Sequence, residues 1–381
     1  MFTRIYLHIP FCRSKCPYCA FVSSQTQTVP ADYTELLLAE MRLAAALPAQ
    51  HTPLESIYFG GGTPSLLEPS SVATILAQAK DLFGLAANAE ITLEANPGTV
   101  DAMRLAAFRK AGINRLSLGV QSLDDRLLKT LGRIHTARQA LDAFSAARTA
   151  GFDNIGIDLI HALPGQSERM WQADLEQALR IAPEHLSVYG LSVEEGTPYA
   201  DRYADNEELL PDQDLAAEMF ELADEVLTTH GYEHYEIANY ALPGRRSRHN
   251  SGYWHRDGYL GLGRGAHTFL RDTPYGTRCS NTPDPDEYRN EICNGALPWR
   301  DISILSSEDA MTEYMFLGLR MADGIGFNAF EQEFGVPLDQ VYGETTRGFA
   351  QAGLLEITNH RVRLTRRGML LSNQVFSKFL P

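Results

Sequence analysis

The sequence predicts an α/β fold: an open, partial (β/α)6 TIM-like barrel, a C-terminal α/β extension and a winged-helix-like domain. Three observations lead there. Short apolar runs alternate with amphipathic helical stretches over roughly the first 230 residues. Polar residues and glycines gather at the carboxyl ends of those runs, where parallel α/β sheets place their ligands. The last part of the chain then changes to helices followed by an alternating pair of strands. The expected division is a core barrel over 1–235, a linking segment over 236–300 and the winged-helix-like unit over 301–381.

Each barrel element has a reason in the sequence. Strands are predicted at 5–9, 56–59, 90–94, 115–120, 154–159 and 185–191, all short apolar runs. Helices are predicted at 32–47, 70–82, 101–111, 136–150 and 167–181, which are amphipathic. Pro30 and Pro69 sit where a helix begins, since a proline in the first turn forfeits no hydrogen bond. Gly112, Gly151 and Gly231 follow helical runs, as residues suited to the left-handed turn at a helix end. Repeated β–α units imply a parallel sheet with helices outside it. Six units in place of eight leave the barrel open.

After the first strand comes Cys12-Arg13-Ser14-Lys15-Cys16-Pro17-Tyr18-Cys19, spaced C-x3-C-x2-C. Three thiolates are one short of a structural zinc site, and a cubane iron–sulfur cluster takes one ligand per iron. Ala20-Phe21-Val22 follows and supplies no fourth ligand. The array points to a [4Fe-4S] cluster bound by Cys12, Cys16 and Cys19, with one iron open to an outside ligand. Two plainer readings stand beside it: a zinc knuckle completed by His8, or packed free thiols.

The other strand ends carry ligand-grade groups as well. Gly60-Gly61-Gly62-Thr63-Pro64 follows the second, Glu94 ends the third and Gln121 follows the fourth. Asp158 lies near the end of the fifth, and Tyr189 to Ser192 close the sixth. A triple glycine alone equally serves a tight turn, and a lone strand-end carboxylate is usually a cap or ion-pair partner. Six consecutive ends beside a cysteine loop form a rim.

Composition bounds the partners. Lys and Arg total 33 against 48 Asp and Glu, a net charge of −15, which disfavours binding to nucleic acid or an anionic membrane. Cys279 and Cys293, the other two of five cysteines, form no array with the first three. The N-terminus lacks a signal-peptide apolar region, and no run of 18 apolar residues occurs. The expectation is a soluble protein of a reducing cytoplasm, with any membrane association loose and through a partner.

These motifs resemble the radical S-adenosylmethionine (SAM) superfamily, in which C-x3-C-x2-C fills the first strand–helix loop with an aromatic, here Tyr18, before the third cysteine. The resemblance implies that SAM chelates the open iron and is cleaved by electron transfer to a 5′-deoxyadenosyl radical. It narrows to the oxygen-independent coproporphyrinogen III oxidase group and its HemW-type haem-chaperone relatives. The residues that carry it run over nearly the whole chain. They are Tyr6 with Cys12, the run from Phe59 to Ser65, Glu94-Ala95-Asn96-Pro97, the run from Ser117 to Ser122, Leu131-Gly132-Arg133 with His135, and the run from Asp158 to Gly165. By that likeness Tyr6, Gly61, Gly62, Thr63, Glu94, Gln121, Arg133 and Asp158 contact SAM. Arg133 pairs its carboxylate through a forked guanidinium, and Asp158 takes the ribose hydroxyls.

Two departures separate the branches. The oxidases resemble one another in a further cysteine two residues after the third, where this chain has Phe21. They also carry an N-terminal extension, whereas Cys12 comes almost at once here. Conversely, Arg248-His249-Asn250-Ser251-Gly252-Tyr253-Trp254 is similar to the H-N-x-x-Y-W signature of the haem chaperones, as is the run from Gly261 to Thr268. The resemblance implies haem binding and transfer to acceptor proteins, with an electron donor for the cluster. His249 beside Tyr253 and Trp254 offers an imidazole ligand and aromatic walls. His255 and His267 are neighbours able to serve instead, and a packed histidine is the plain alternative.

In the final unit, helices are predicted at 307–321, 328–334 and 342–352, and strands at 353–357 and 361–365. Winged helices often bind DNA. Here 328–340 holds Glu331, Glu333 and Asp339 with no Lys or Arg, and 342–352 sets Arg347 against Glu344. Phosphate contact needs positive charge, so the unit reads as structural or partner-docking. Alongside the haem chaperone stand three other functions: coproporphyrinogen III oxidation, SAM-dependent modification of haem or another substrate, and winged-helix regulation.

Overall fold

Strands covered on both faces by protein need apolar residues at one parity and a filled interior at the other. Ile5, Leu7 and Ile9, and likewise Leu116, Leu118 and Val120, are buried on the helix side. The alternate positions Tyr6, Tyr58, Glu94 and Asp158 turn into the barrel. The computed structural model describes residues 1–47 and 52–380. In it β1 (Arg4–Ile9), β2 (Leu54–Gly61), β3 (Leu85–Ala95), β4 (Arg115–Gln121), β5 (Ile155–His161) and β6 (His185–Gly190) pair in parallel in sequence order. The register sets His8 opposite Gly60, Glu94 opposite Ser117 and Asp158 opposite Ser187, so the strand ends form one rim.

The expected helices lie between them as Ala31–Ala45, Pro69–Phe83, Ala102–Ala111, Ala137–Thr149 and Glu168–Ile181. Their spacing explains their packing. Pro69–Phe83 turns Val72, Ile75, Leu76, Ala79 and Phe83 onto the sheet, and each large side chain among them contributes about 1.5–3 kcal/mol by leaving water. The largest boundary difference is at β3, which begins at Leu85 instead of 90. Leu85 pairs with Leu54 across a register irregularity, a tertiary pairing that no apolar run announces.

The sheet continues past the barrel on both sides. On one side β6 pairs antiparallel with Asn239–Ala241 (β8), which pairs with Glu233–Glu236 (β7). On the other, β1 pairs in parallel with β9 (Tyr259–Leu262). Then β10 (His267–Leu270), β11 (Thr277–Asn281) and β12 (Trp299–Ile304) follow antiparallel. Among the described residues this makes one twelve-stranded sheet, ordered β12-β11-β10-β9-β1-β2-β3-β4-β5-β6-β8-β7. Its ends do not pair with each other, so the barrel is open. The segment 236–300, read from sequence as a link, therefore supplies β8 to β11 and the start of β12 to the barrel sheet.

The last unit has its own apolar cluster, including Ile325, Phe330, Phe334, Leu338, Val362 and Leu364. Helices Ser307–Gly318, Phe327–Phe334 and Leu338–Gln351 precede a small sheet in which Arg361–Leu364 lies between Ile325–Gly326 and Leu355–Ile357. This is the winged-helix-like pattern. Its third helix starts at Leu338, directly after Pro337, and takes in residues that the sequence assigned to the acidic run before it. Phe220, from helix Gln213–Thr229 of the barrel, joins this second cluster. Among the described residues no helix is long and apolar enough to cross a membrane.

Candidate functional site

The cysteine loop is closed at its base. Phe11–Cys12 pairs with Ser24–Gln25, and the Thr26 amide donates to the Cys12 carbonyl at 2.8 Å. A turn from the Cys16 carbonyl to the Cys19 amide, 3.1 Å, folds the middle of the loop. Its tip packs on Gly132, which has φ +69°. A Cβ there would stand 2.8 Å from Pro17 Cδ, so only glycine brings this helix end against the loop. The Tyr199 amide also donates to the Pro17 carbonyl. All three cysteines are free and partly exposed.

The thiols sit among donors. Thr63 Oγ1 lies 3.5 Å from Cys12 Sγ, and Arg133 Nη1 lies 3.6 Å from Cys16 Sγ. Burial pushes the Cys19 thiol up, opposed by a backbone hydrogen bond from Phe21, and the nearby Cys16 and Cys12 push it further. Among the described residues no three His, Cys, Asp or Glu side chains converge as ligands of a single ion. Cluster thiolates bind separate irons and stand wider apart than that, so three soft thiolates on one pinned loop fit a cluster. His8 does not complete a zinc site in this arrangement. It is buried, with Nδ1 3.0 Å from the Tyr6 hydroxyl and Nε2 2.8 Å from the Val22 carbonyl.

The glycine run serves the chain's own packing. A Cβ on Gly62 would lie 2.8 Å from the Phe11 backbone, and one on Gly61 2.6 Å from the His8 ring. That close approach aims the Gly61 amide at Glu94 Oε2, 3.2 Å away, while the Tyr58 hydroxyl donates to Oε1 at 2.8 Å. Burial raises the Glu94 carboxyl to about 7; the Tyr58 bond opposes this and Asp158 adds to it. Asp158 is also raised by burial, against hydrogen bonds from Ser187 and Ser117, the latter at 3.1 Å. Tyr6 stacks on Tyr58 with ring centroids 6.2 Å apart.

Gln121 ends β4 with φ +69°, where the pairing with β5 slips between Gly119 and Gln121. This bulge re-aims the strand end. Arg133 Nη2 donates to the Gly119 carbonyl at 2.7 Å, and its buried Nε has no partner among the described residues. Burial works against the Arg133 charge, yet Tyr18 and Cys16 raise its pKa overall. The rim therefore gathers Tyr6, Gly61, Gly62, Thr63, Glu94, Gln121, Arg133 and Asp158 around the thiols. Two half-buried carboxylates, a guanidinium with a free N–H and close backbone are chemically complementary to a zwitterion carrying hydroxyls.

His249 lies elsewhere. Helix Arg248–Trp254 plugs the opposite end of the barrel, and the His249 side chain is fully buried. Its Nδ1 is 2.8 Å from Ser56 Oγ, its Nε2 is 2.8 Å from the Tyr253 hydroxyl, and its ring stacks on Tyr58 at 5.0 Å. Glu90 accepts the amides of Arg248 and His249 at 3.1 and 3.0 Å, beside the buried Arg115. Burial holds the His249 pKa well below its ordinary value, with Arg4 and Arg115 adding to the effect. Tyr58 and Ser117, which bond Glu94 and Asp158 at the rim, and Glu90 and Arg115 at the floor are inward-facing residues that a reading of strand ends passed over. The period-two alternation back from Gly60, Glu94 and Gly119 identifies them.

Tyr253 and Trp254, from the same helix, do reach open space. With Phe21, Val22, Tyr259 and His267 they line a cavity of about 550 Å³ beside the cysteine loop. Arg278 and Leu317 complete the wall, the latter from the first helix of the winged-helix-like unit. Phe21 is 64% exposed there, unusual for a large apolar ring.

Comparison with known proteins bears on these features. The radical SAM superfamily model matches residues 6–178, and the HemN C-terminal domain model matches residues 305–371. The chain is 36% identical to "Heme chaperone HemW" of Bacillus subtilis over 98% of both chains. It is 43% identical to "Heme chaperone HemW" of Escherichia coli over 69% of both. To "Radical S-adenosyl methionine domain-containing protein 1, mitochondrial" of Bos taurus it is 35% identical over 99% of this chain and 87% of that one. Among solved structures, coproporphyrinogen III oxidase (HemN) of Escherichia coli superposes with a TM-score of 0.85. That match covers 99% of this chain and 90% of the other at 22% identity, a likeness of fold.

Proposed function

The chain belongs to the HemW family of radical SAM proteins, and from that premise we propose that it binds haem and hands it to acceptor proteins. The carrying observation is the cavity between the cysteine loop and the aromatic end of helix Arg248–Trp254. Its volume of about 550 Å³ falls within the roughly 300–1,000 Å³ of small-molecule sites. Its walls are aromatic and aliphatic, which suits a porphyrin face. Phe21, where the oxidases place a cysteine, forms part of that wall instead of offering a ligand.

In this reading Cys12, Cys16 and Cys19 hold a [4Fe-4S] cluster, and the rim residues hold SAM. Arg133 takes the SAM carboxylate, Glu94 and the Gly61–Thr63 backbone take its ammonium end, and Asp158 with Ser117 takes the ribose. Tyr6 and Gln121 close the same pocket. When bound, cluster and SAM supply one-electron chemistry, for which an electron donor is required. Loading and release of haem occur in a reducing cytoplasm, and contact with a membrane is through the acceptor.

Transfer tests the proposal. Cluster-reconstituted, haem-loaded protein is mixed anaerobically with an immobilised apo-haemoprotein, and the Soret band is followed in both fractions. Movement of haem to the acceptor faster than spontaneous loss into buffer is expected. Haem that never binds, or that leaves at the same rate with and without acceptor, refutes it.

A further inference from the structure

We propose that haem iron in this cavity is ligated by His267, and not by the motif histidine His249; the inference rests on the haem reading above. Ligation needs a ring nitrogen with a free lone pair facing the metal. His249 has neither nitrogen free, and Tyr253 stands between it and the cavity. Reaching iron would strip two buried hydrogen bonds and leave Ser56 and Tyr253 without their partner, a cost that ligation by His267 does not carry. His267 is the converse case. It is exposed at the start of β10, it lines the cavity, and no described residue hydrogen-bonds its ring.

The surroundings of His267 match the rest of the ligand. Phe21, Val22, Tyr253, Trp254 and Tyr259 offer apolar surface for the macrocycle. The carboxylates of haem require positive charge, and Arg278 lines the same cavity. Arg278 shares Glu313 with Arg256, and Arg256 and Arg271 share Glu333. Arg278 is thus the cationic group that the cavity wall presents, on a chain whose overall charge is −15. Electrostatic complementarity of that kind orients a dianionic ligand as well as holding it.

The position also couples the ligand to the cysteine loop. A Cβ on Gly265, two residues before His267, would lie 3.3 Å from Val22, and His8 ties the Val22 carbonyl to β1. Haem on His267 thus stands against the segment that immediately follows Cys19.

The test uses full-length, cluster-reconstituted protein titrated with ferric haem, read by Soret position, resonance Raman spectroscopy and electron paramagnetic resonance. Wild type is expected to show a histidine-ligated spectrum. His267→Ala should weaken binding at least tenfold and lose that spectrum, with added imidazole restoring it. His267→Met should give a distinct thioether-type spectrum, which keeps the test decisive if the alanine variant folds poorly. Intact cluster absorbance serves as the folding control. Unchanged spectra in both His267 variants, with loss of the ligated form in His249→Ala, overturn the assignment while leaving the haem reading standing. Absence of haem binding by wild type overturns both.

Discussion

The two ends of the same barrel are built on opposite terms. At the floor, Ser56, His249 and Glu90 are buried and linked by hydrogen bonds, with both His249 nitrogens used, and the buried Arg115 faces the Glu90 charge although its Nε has no partner among the described residues. At the rim, the thiols are partly exposed, Arg133 keeps an unpartnered N–H, and Glu94 and Asp158 are held as unwilling carboxylates by burial. Polar groups satisfied by the protein stabilise a fold, whereas polar groups gathered but left short of partners await a ligand. Sequence motifs alone blur this distinction. The H-N-x-x-Y-W run contributes its histidine to the floor and its two aromatics to the cavity.

The sharpest way to break the contrast is at the thiols. Cys12→Ala, Cys16→Ala or Cys19→Ala should abolish the visible absorption of the reconstituted cluster while leaving far-ultraviolet circular dichroism unchanged. Next comes the floor. Glu90→Ala removes the acceptor of two backbone amides and the charge beside buried Arg115, and should cost about 3–5 kcal/mol in denaturant unfolding. The folded fraction should still bind its cluster. A floor variant that loses the cluster but keeps its stability would show the two ends to be one site.

A smaller effect concerns the support beneath the cavity. Glu40 is fully buried and accepts from Gly263 N at 2.8 Å, Tyr288 Oη at 2.7 Å and Asn281 Nδ2. Burial raises its pKa to about 7, against those hydrogen bonds. Because the folded value exceeds the unfolded one, Glu40 favours the fold fully below about pH 4, and that contribution is lost as the pH rises to about 7. Relative to Glu40→Gln, wild type should lose up to about 3 kcal/mol over that window, measured by urea unfolding at successive pH values. The smallest effect is Arg133→Lys, which keeps the charge and loses the fork. SAM affinity by calorimetry should fall roughly tenfold, about 1.4 kcal/mol.

Much of this was legible in the sequence because it is local. Apolar runs and amphipathic spacing locate the barrel strands and helices, and the C-x3-C-x2-C spacing with Gly60-Gly61-Gly62 locates the rim. What was not legible depends on partners distant in the chain. Leu85 becomes strand because Leu54 lies beside it, and Tyr259–Leu262 joins β1 in parallel across more than half the chain. The role of His249 is of this kind too. Its residue type permits iron ligation, but Ser56, some 190 residues earlier, occupies one nitrogen. The sequence offered His267 only as one of two alternatives to His249, and the cavity singles it out.

The central claim is that this cluster-bearing barrel handles haem and does not make its precursor. Anaerobic reconstitution with iron and sulfide, followed by parallel titration with haem and with coproporphyrinogen III in the presence of SAM and reductant, tests it most directly. The account predicts saturable haem binding near one equivalent per chain and coproporphyrinogen III recovered intact. Conversion to protoporphyrinogen, with haem left unbound, would contradict it.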